Sequence, residues 1–480
     1  MSDSSLPSNS AVTAPSQSEI DASCRVPLLA LFSGAALWLF VAAVATLLAS
    51  MSFHKPDMFA DKMWLSYGRI LPFAKAAFLY GFCLPAGYGL ALWLAARLGR
   101  TTLTCGIAST FAAKLWHLGV FIGAFGILCG ASTGYEGFEI PKYAASILFA
   151  ASLMLGFVGL TTIHNRMEKE LYPSLWFIIT GLFWFPWILS TAIFTLDVAP
   201  VRGVTQIAVQ SWYLNNLQFV TLGLFGLGGA FYFMPKLAGK NLPSKYLALF
   251  AFFSLVFFGS WVGLSAGSPL PAWMSALSSI AAVFSVVTVV AVLDIARQTC
   301  CWKAPEAEAK FFSVSIFYFA GALLAGAIGV LPGISSRIGL TLYHSGQTQL
   351  LVAGFFGMVA LGGMYHVLPK VADIKWPFAG FIRAHLWLAT FGVLLIAGAY
   401  LLGGWQQGTK LNQPAIAFVD VAKSTLMPIR MASMGEFLWA LGSLLFVVNV
   451  FVLIYQRVRS CMKPFVAEVT TAIPATEVKA

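Results

Sequence analysis

Polar and apolar residues are segregated along this chain into long blocks. Twelve apolar runs, at residues 28–51, 70–96, 104–130, 142–162, 174–194, 209–234, 246–264, 273–296, 311–330, 342–367, 381–402 and 434–455, alternate with polar connections. A helix rises about 1.5 Å per residue, so runs of this length cross a hydrocarbon core of roughly 30 Å once tilt and flanking residues are included. Inside lipid, a helix satisfies every backbone N–H and C=O within one segment. The pattern predicts an all-α integral membrane protein of about twelve transmembrane helices, forming one domain over residues 27–457. Residues 1–26, polar and rich in Ser, read as a disordered tail, and residues 458–480 as a second tail. They lack the basic start and apolar stretch of a secretory signal.

An even number of spans puts both termini on one face, and the basic residues suggest which face. The connections on the terminal side carry Arg97, Arg100, Arg166, Lys169, Lys236, Lys240, Lys245, Arg297, Lys303 and Lys370, and the tail adds Arg457 and Arg459. Fewer basic residues, among them Lys55, Lys62, Arg69, Lys142, Arg202 and Lys423, are spread over longer connections on the other side. Basic loops stay inside, so both termini are expected to be cytoplasmic. The longest polar excursions, residues 53–69 and 403–430, then lie outside and are the natural docking surfaces for a partner.

Composition agrees with the bilayer as solvent: 59% of the 480 residues are hydrophobic and only 10% are charged. The net charge of +11 does not point to nucleic acid, because the basic residues sit in loops where they set topology. The seven cysteines form no CxxC pair, so the sequence offers no zinc or iron–sulfur clamp.

Several segments, in order, resemble the catalytic subunit of cbb-type haem–copper oxidases. Gly68-Arg69-Ile70-Leu71-Pro72-Phe73 is similar to that family's Gly-Arg-x-x-Pro-Leu-His, and Tyr135 to Pro141 resembles its acidic loop after helix three. Leu171-Tyr172-Pro173-Ser174-Leu175-Trp176-Phe177 and Ser211-Trp212-Tyr213-Leu214-Asn215-Asn216 resemble its motifs at helices five and six. Gly346 to Pro369 is similar to helix ten without a gap, and the resemblance continues through His385, Gln406, Arg430 and Asn449. It implies the haem–copper oxidase subunit I fold, a bacterial inner membrane, and cytochrome c oxidase activity as the family chemistry. It also implies a membrane-anchored c-type cytochrome as partner.

That chemistry needs imidazole, which holds both haem iron and copper. The resemblance implies six ligand positions, and all six are altered. They carry Ala74, Asn215, Ser265, Ala266, Gln347 and Gln349, while Gly259 stands at the family's active-site tyrosine. Of the six histidines only His344 and His117 lie near a cofactor level, as substitute ligands for a haem b with non-family ligation. Gln347 and Gln349 suit packing and interhelical hydrogen bonding better than metal. Lys114, well inside the third run, is a candidate lining residue of a wet cavity with Gln347 and Gln349.

The expectation is therefore a chain with no haem or copper of its own, acting as a non-catalytic scaffold in a respiratory electron-transfer complex. The sequence is also compatible with a terminal oxidase or nitric-oxide-reductase relative with unusual ligands, and with a channel or transporter using the emptied cofactor cavities.

Overall fold

The computed structural model describes residues 14–59, 61–264 and 268–472. Twelve principal helices occur in chain order: α1 (Gln17–His54), α2 (Tyr67–Gly99), α3 (Gly106–Leu128), α4 (Lys142–His164), α5 (Pro173–Val198) and α6 (Val204–Leu237). There follow α7 (Lys245–Gly259), α8 (Ala272–Gln298), α9 (Ala307–Gly329), α10 (Tyr343–Ala372), α11 (Ala379–Leu411) and α12 (Phe418–Ala472). Every predicted run is a helix, and there is no strand among the described residues. Eleven are long and apolar enough to cross a membrane, while α7, with 15 residues, is shorter.

The bundle has a centre and a rim. In α2, α6 and α10 the most apolar stretch is 94%, 89% and 94% buried, against 44% to 61% in the other long helices. Rim helices show one outward apolar stripe at helical spacing. On α3 the exposed stripe includes Ile107, Phe111, Leu118, Phe121 and Phe125; on α7 it is Tyr246, Phe250, Phe253 and Phe257. Each central helix also contains a π-helical segment, Ala77–Cys83 in α2, Asn216–Thr221 in α6 and Leu350–Gly357 in α10, and rim helix α5 ends in one, Ile193–Val198. A π turn holds one extra residue and frees a carbonyl, and such turns gather at functional sites. In α6 the Thr221 hydroxyl donates to the Asn216 carbonyl at 2.9 Å, satisfying it.

Four expectations need correction. Residues 17–26 are not part of a disordered tail: α1 starts at Gln17 with a capping box between Ser16 and Glu19. Asp21 explains the order, since it accepts from Trp93 Nε1 at 2.9 Å and pairs with Arg97 at 3.3 Å. At the other end α12 continues through the predicted second tail as far as Ala472. Residues 403–430 are not a loop, because α11 runs to Leu411 and α12 starts at Phe418, making a helical hairpin. Finally, α7 ends at Gly259, and Gly263 beyond it has φ +108°, a left-handed conformation that glycine adopts without strain.

Polar networks tie the helix ends on the face that carries the termini. Besides Asp21 and Arg97, Lys370 Nζ lies 2.5 Å from His366 Nε2, and His366 Nδ1 lies 3.6 Å from Glu308. Arg97 and Lys370 both sit over the Trp93 ring. On the opposite face Lys75 pairs with Glu136 at 2.6 Å.

Candidate functional site

Two of the six positions that the resemblance implies as ligand sites, Asn215 and Gln347, meet where α6, α8, α9 and α10 come together beside the end of α7. A helix leaves its last carbonyls without intrahelical partners, and inside a membrane water cannot supply them. Asn215 Nδ2 donates to the Gly259 carbonyl at 2.8 Å, and Asn216 Nδ2 reaches the Ser260 carbonyl at 3.4 Å. The two asparagines thus cap α7 from the side. Asn216 is held in turn by Trp184 Nε1, which donates to its Oδ1 at 3.2 Å. Gly263 closes over Asn215: a Cβ at residue 263 would lie 2.7 Å from Asn215 Cβ. Ser265 and Ala266 lie outside the described residues.

Gln347 faces Asn215 across a small cavity. The cavity, about 50 Å³, is lined by Asn215, Ser285, Gly326, Gln347 and apolar neighbours. This has room for a few waters, each needing roughly 10–15 Å³ by the same measure, and four polar or backbone walls to bind them. Gln347 lies directly against Gly326 of α9, so its amide fills the space that a side chain there would take. Gln349 is not among the cavity walls.

Ala74 on α2, another of the positions the resemblance implies, is buried in a separate cluster with Ala45 and Ala49 of α1 and with Ile70. Aromatic side chains occupy the interior around these helices. Phe78 on α2 meets Trp439 of α12 with centroids 6.2 Å apart, and Phe319 meets Phe355 at 4.7 Å between α9 and α10. Each large ring buries on the order of 150–250 Å² of surface.

His117 and the candidate cavity lysine lie elsewhere, whereas His344 stands one turn before Gln347 and hydrogen-bonds its side chain. His117 is wedged between α1 and α3, its Nε2 3.2 Å from the Leu31 carbonyl and its ring against Gly34. His344 is exposed. Neither lines the cavity between Asn215 and Gln347. Lys114 does not line it either: it is exposed on the outward stripe of α3, between Phe111 and Leu118. The spacing 107, 111, 114, 118 already places this lysine with bulky apolar residues on one helical face.

Sequence reasoning missed several pairings between distant segments. Tyr365 and His385 Nδ1 are 2.9 Å apart, fully buried between α10 and α11. Tyr80 donates to the Gly137 carbonyl at 2.7 Å and meets the Tyr213 hydroxyl at 2.6 Å, fastening the loop 129–141 to the centre. Glu139 in that loop is only 4% exposed, and its Oε2 has no hydrogen-bond partner. Burial pushes its carboxyl up to about 7, with Lys75 acting in the opposite sense. Only the acidity of the loop signalled it in the sequence.

Comparison with known proteins follows the same outline. Residues 26–438 match the family described as cytochrome C and quinol oxidase polypeptide I. The chain belongs to that family. Among its relatives in the family, cytochrome c oxidase subunit 1 of Rhodobacter capsulatus is 25% identical over 449 residues, covering 86% of this chain and 80% of the relative. The cbb3-type cytochrome c oxidase subunit CcoN1 of Stutzerimonas stutzeri is 24% identical, covering 74% of this chain and 77% of the relative. A solved haem–copper terminal oxidase has the same fold, with a TM-score of 0.75 at 14% identity, covering 90% of this chain and 84% of that one. The family's subunit I architecture is thus present, in a multi-pass membrane protein.

Proposed function

We propose that this chain is a subunit I-like membrane scaffold that has lost oxygen reduction and carries neither haem nor copper of its own. The observation behind the proposal is the pairing of Asn215 with α7: the residue at the implied copper position spends its amide on the Gly259 carbonyl and faces Gln347 across only about 50 Å³. Small-molecule pockets run to about 300–1,000 Å³, and amide nitrogens are poor donors to iron or copper. The residues present do not fit the implied cofactors, and no step of an oxidase cycle is assigned to them.

As a scaffold, the chain would hold a membrane-anchored c-type cytochrome within a respiratory electron-transfer complex in the bacterial inner membrane. The support is membership of a family whose relatives include cytochrome c oxidase subunits. The loop 53–69 and the hairpin between α11 and α12 are its docking surfaces, with both termini cytoplasmic.

The deciding experiment is a pyridine haemochrome assay with metal analysis on the isolated chain. Background haem and copper are the expected result. One haem per chain, lost on His344→Ala or His117→Ala, would overturn the proposal in favour of an oxidase with unusual ligands.

A further inference from the structure

On the face opposite the termini, a buried carboxyl is joined to the surface by a chain of hydrogen-bonding side chains. Glu436 of α12 is 5% exposed and its Oε2 has no partner in good hydrogen-bonding geometry. Its Oε1 accepts from the Tyr400 hydroxyl of α11 at 3.3 Å, and Ser50 of α1 lies close enough to act on the carboxyl. Ser50 Oγ is 2.5 Å from Ser433 Oγ, one helical turn along α12 toward the surface. Ser433 Oγ in turn lies 2.8 Å from Nε2 of His54, an exposed residue at the end of α1.

The groups around Glu436 leave its charge uncompensated. The titratable side chains that act with it are Tyr400 on α11 and Tyr67 at the start of α2, while His54 on α1 reaches it only by way of Ser433. No Lys or Arg is among the groups that act on it. An unpaired carboxylate in such a place is costly, whereas the protonated acid is a neutral donor and acceptor.

We propose that Glu436 is a proton-binding site in exchange with the aqueous phase on that face through His54, Ser433 and Ser50. A proton arriving at His54 Nε2 passes to the Ser433 hydroxyl, which releases its own to Ser50, and Ser50 releases its own to Glu436. One O–H bond forms at each oxygen as another breaks, and no electron moves. The Ile429 carbonyl, 3.0 Å from Ser433 Oγ, is the resting acceptor of that hydroxyl proton. The site is independent of haem, copper and the scaffold role.

The test is infrared spectroscopy of the purified full chain in mildly acidic buffer, following the protonated carboxylic C=O band as H₂O is replaced by D₂O. A band that exchanges readily, disappears in Glu436→Gln and exchanges severalfold more slowly in Ser433→Ala and Ser50→Ala is the expected result. Glu436→Asp, which keeps the acid and moves the band, assigns it if the Gln variant does not accumulate. The separate band of buried Glu139 reports that each variant is folded. No change in the carboxylic region in Glu436→Gln, or exchange at the parent rate in both serine variants, would overturn the proposal.

Discussion

The side chain of Asn215 and the carbonyl of Gly259 are joined at 2.8 Å, so a residue of the central helix α6 terminates the rim helix α7. Asn215→Ala removes the closer of two donors to that carbonyl and leaves it only the Val262 N–H at 3.4 Å. A loss of about 1–3 kcal/mol is expected, read as a lower midpoint of thermal unfolding in detergent. Asn215→Asp, which replaces the donor by an acceptor, should be at least as damaging, and a Tm equal to that of the parent would show that the bond contributes nothing.

Gln347 and Gly326 should behave as a coupled pair. Gly326→Ala places a methyl group against the Gln347 amide, whose Cδ would stand 3.3 Å from it. A destabilisation of about 1–3 kcal/mol is expected from such overpacking. Shortening the partner makes room, so Gly326→Ala combined with Gln347→Ala should be less damaged than the two single losses added together, with a coupling of about 0.5–3 kcal/mol. Strict additivity in the double-mutant cycle would disprove the contact.

Glu139 makes stability depend on pH in a defined direction. Its carboxyl is shifted from 4.5 to about 7 on folding, so between those values the folded state holds a proton that the unfolded state has released. Stability is therefore greatest below 4.5, falls as pH rises toward about 7, and is level above it. The full excursion is on the order of 3 kcal/mol. Unfolding midpoints recorded across this range should slope downward in the parent, and Glu139→Gln should flatten the slope.

Topology is tested with reporters. A cytoplasmically active reporter fused after residue 463, and an externally active one placed in the turn at residues 412–417, should both give signal. Signal from the opposite pair would reverse the orientation drawn from the basic connections.

The spans were legible because hydrocarbon imposes a requirement on each segment separately: a run such as 142–162 declares itself whatever it packs against. What escaped depends on residues far apart in the chain. Asp21 looked like part of a polar tail because Arg97 and Trp93, which order it, lie more than seventy residues away. Glu436 lies inside the run 434–455, and nothing in that run shows that Ser50 of α1 stands beside it. In the candidate site, Asn215 and Gln347 could be picked out from the motifs around them, but not that Asn215 caps α7. Lys114 is a different case, because helical spacing already placed it on the stripe of Phe111 and Leu118.

The shortness of α7 also bears on the lipid around it. Its 15 residues rise only about 22 Å, against a hydrocarbon thickness of roughly 30 Å, while α8, packed beside it, has 27 residues. Trp261 and Trp273, 52% and 64% exposed, flank the connection from α7 to α8, where indoles favour the membrane interface. A helix this short is accommodated by local thinning of the bilayer or by its flanking residues, at a cost of a fraction of a kcal/mol per Å of mismatch. Bilayer thickness thus bears directly on the end of α7 that Asn215 and Asn216 hold. A thicker membrane strains those two side-chain bonds, and a thinner one relieves them.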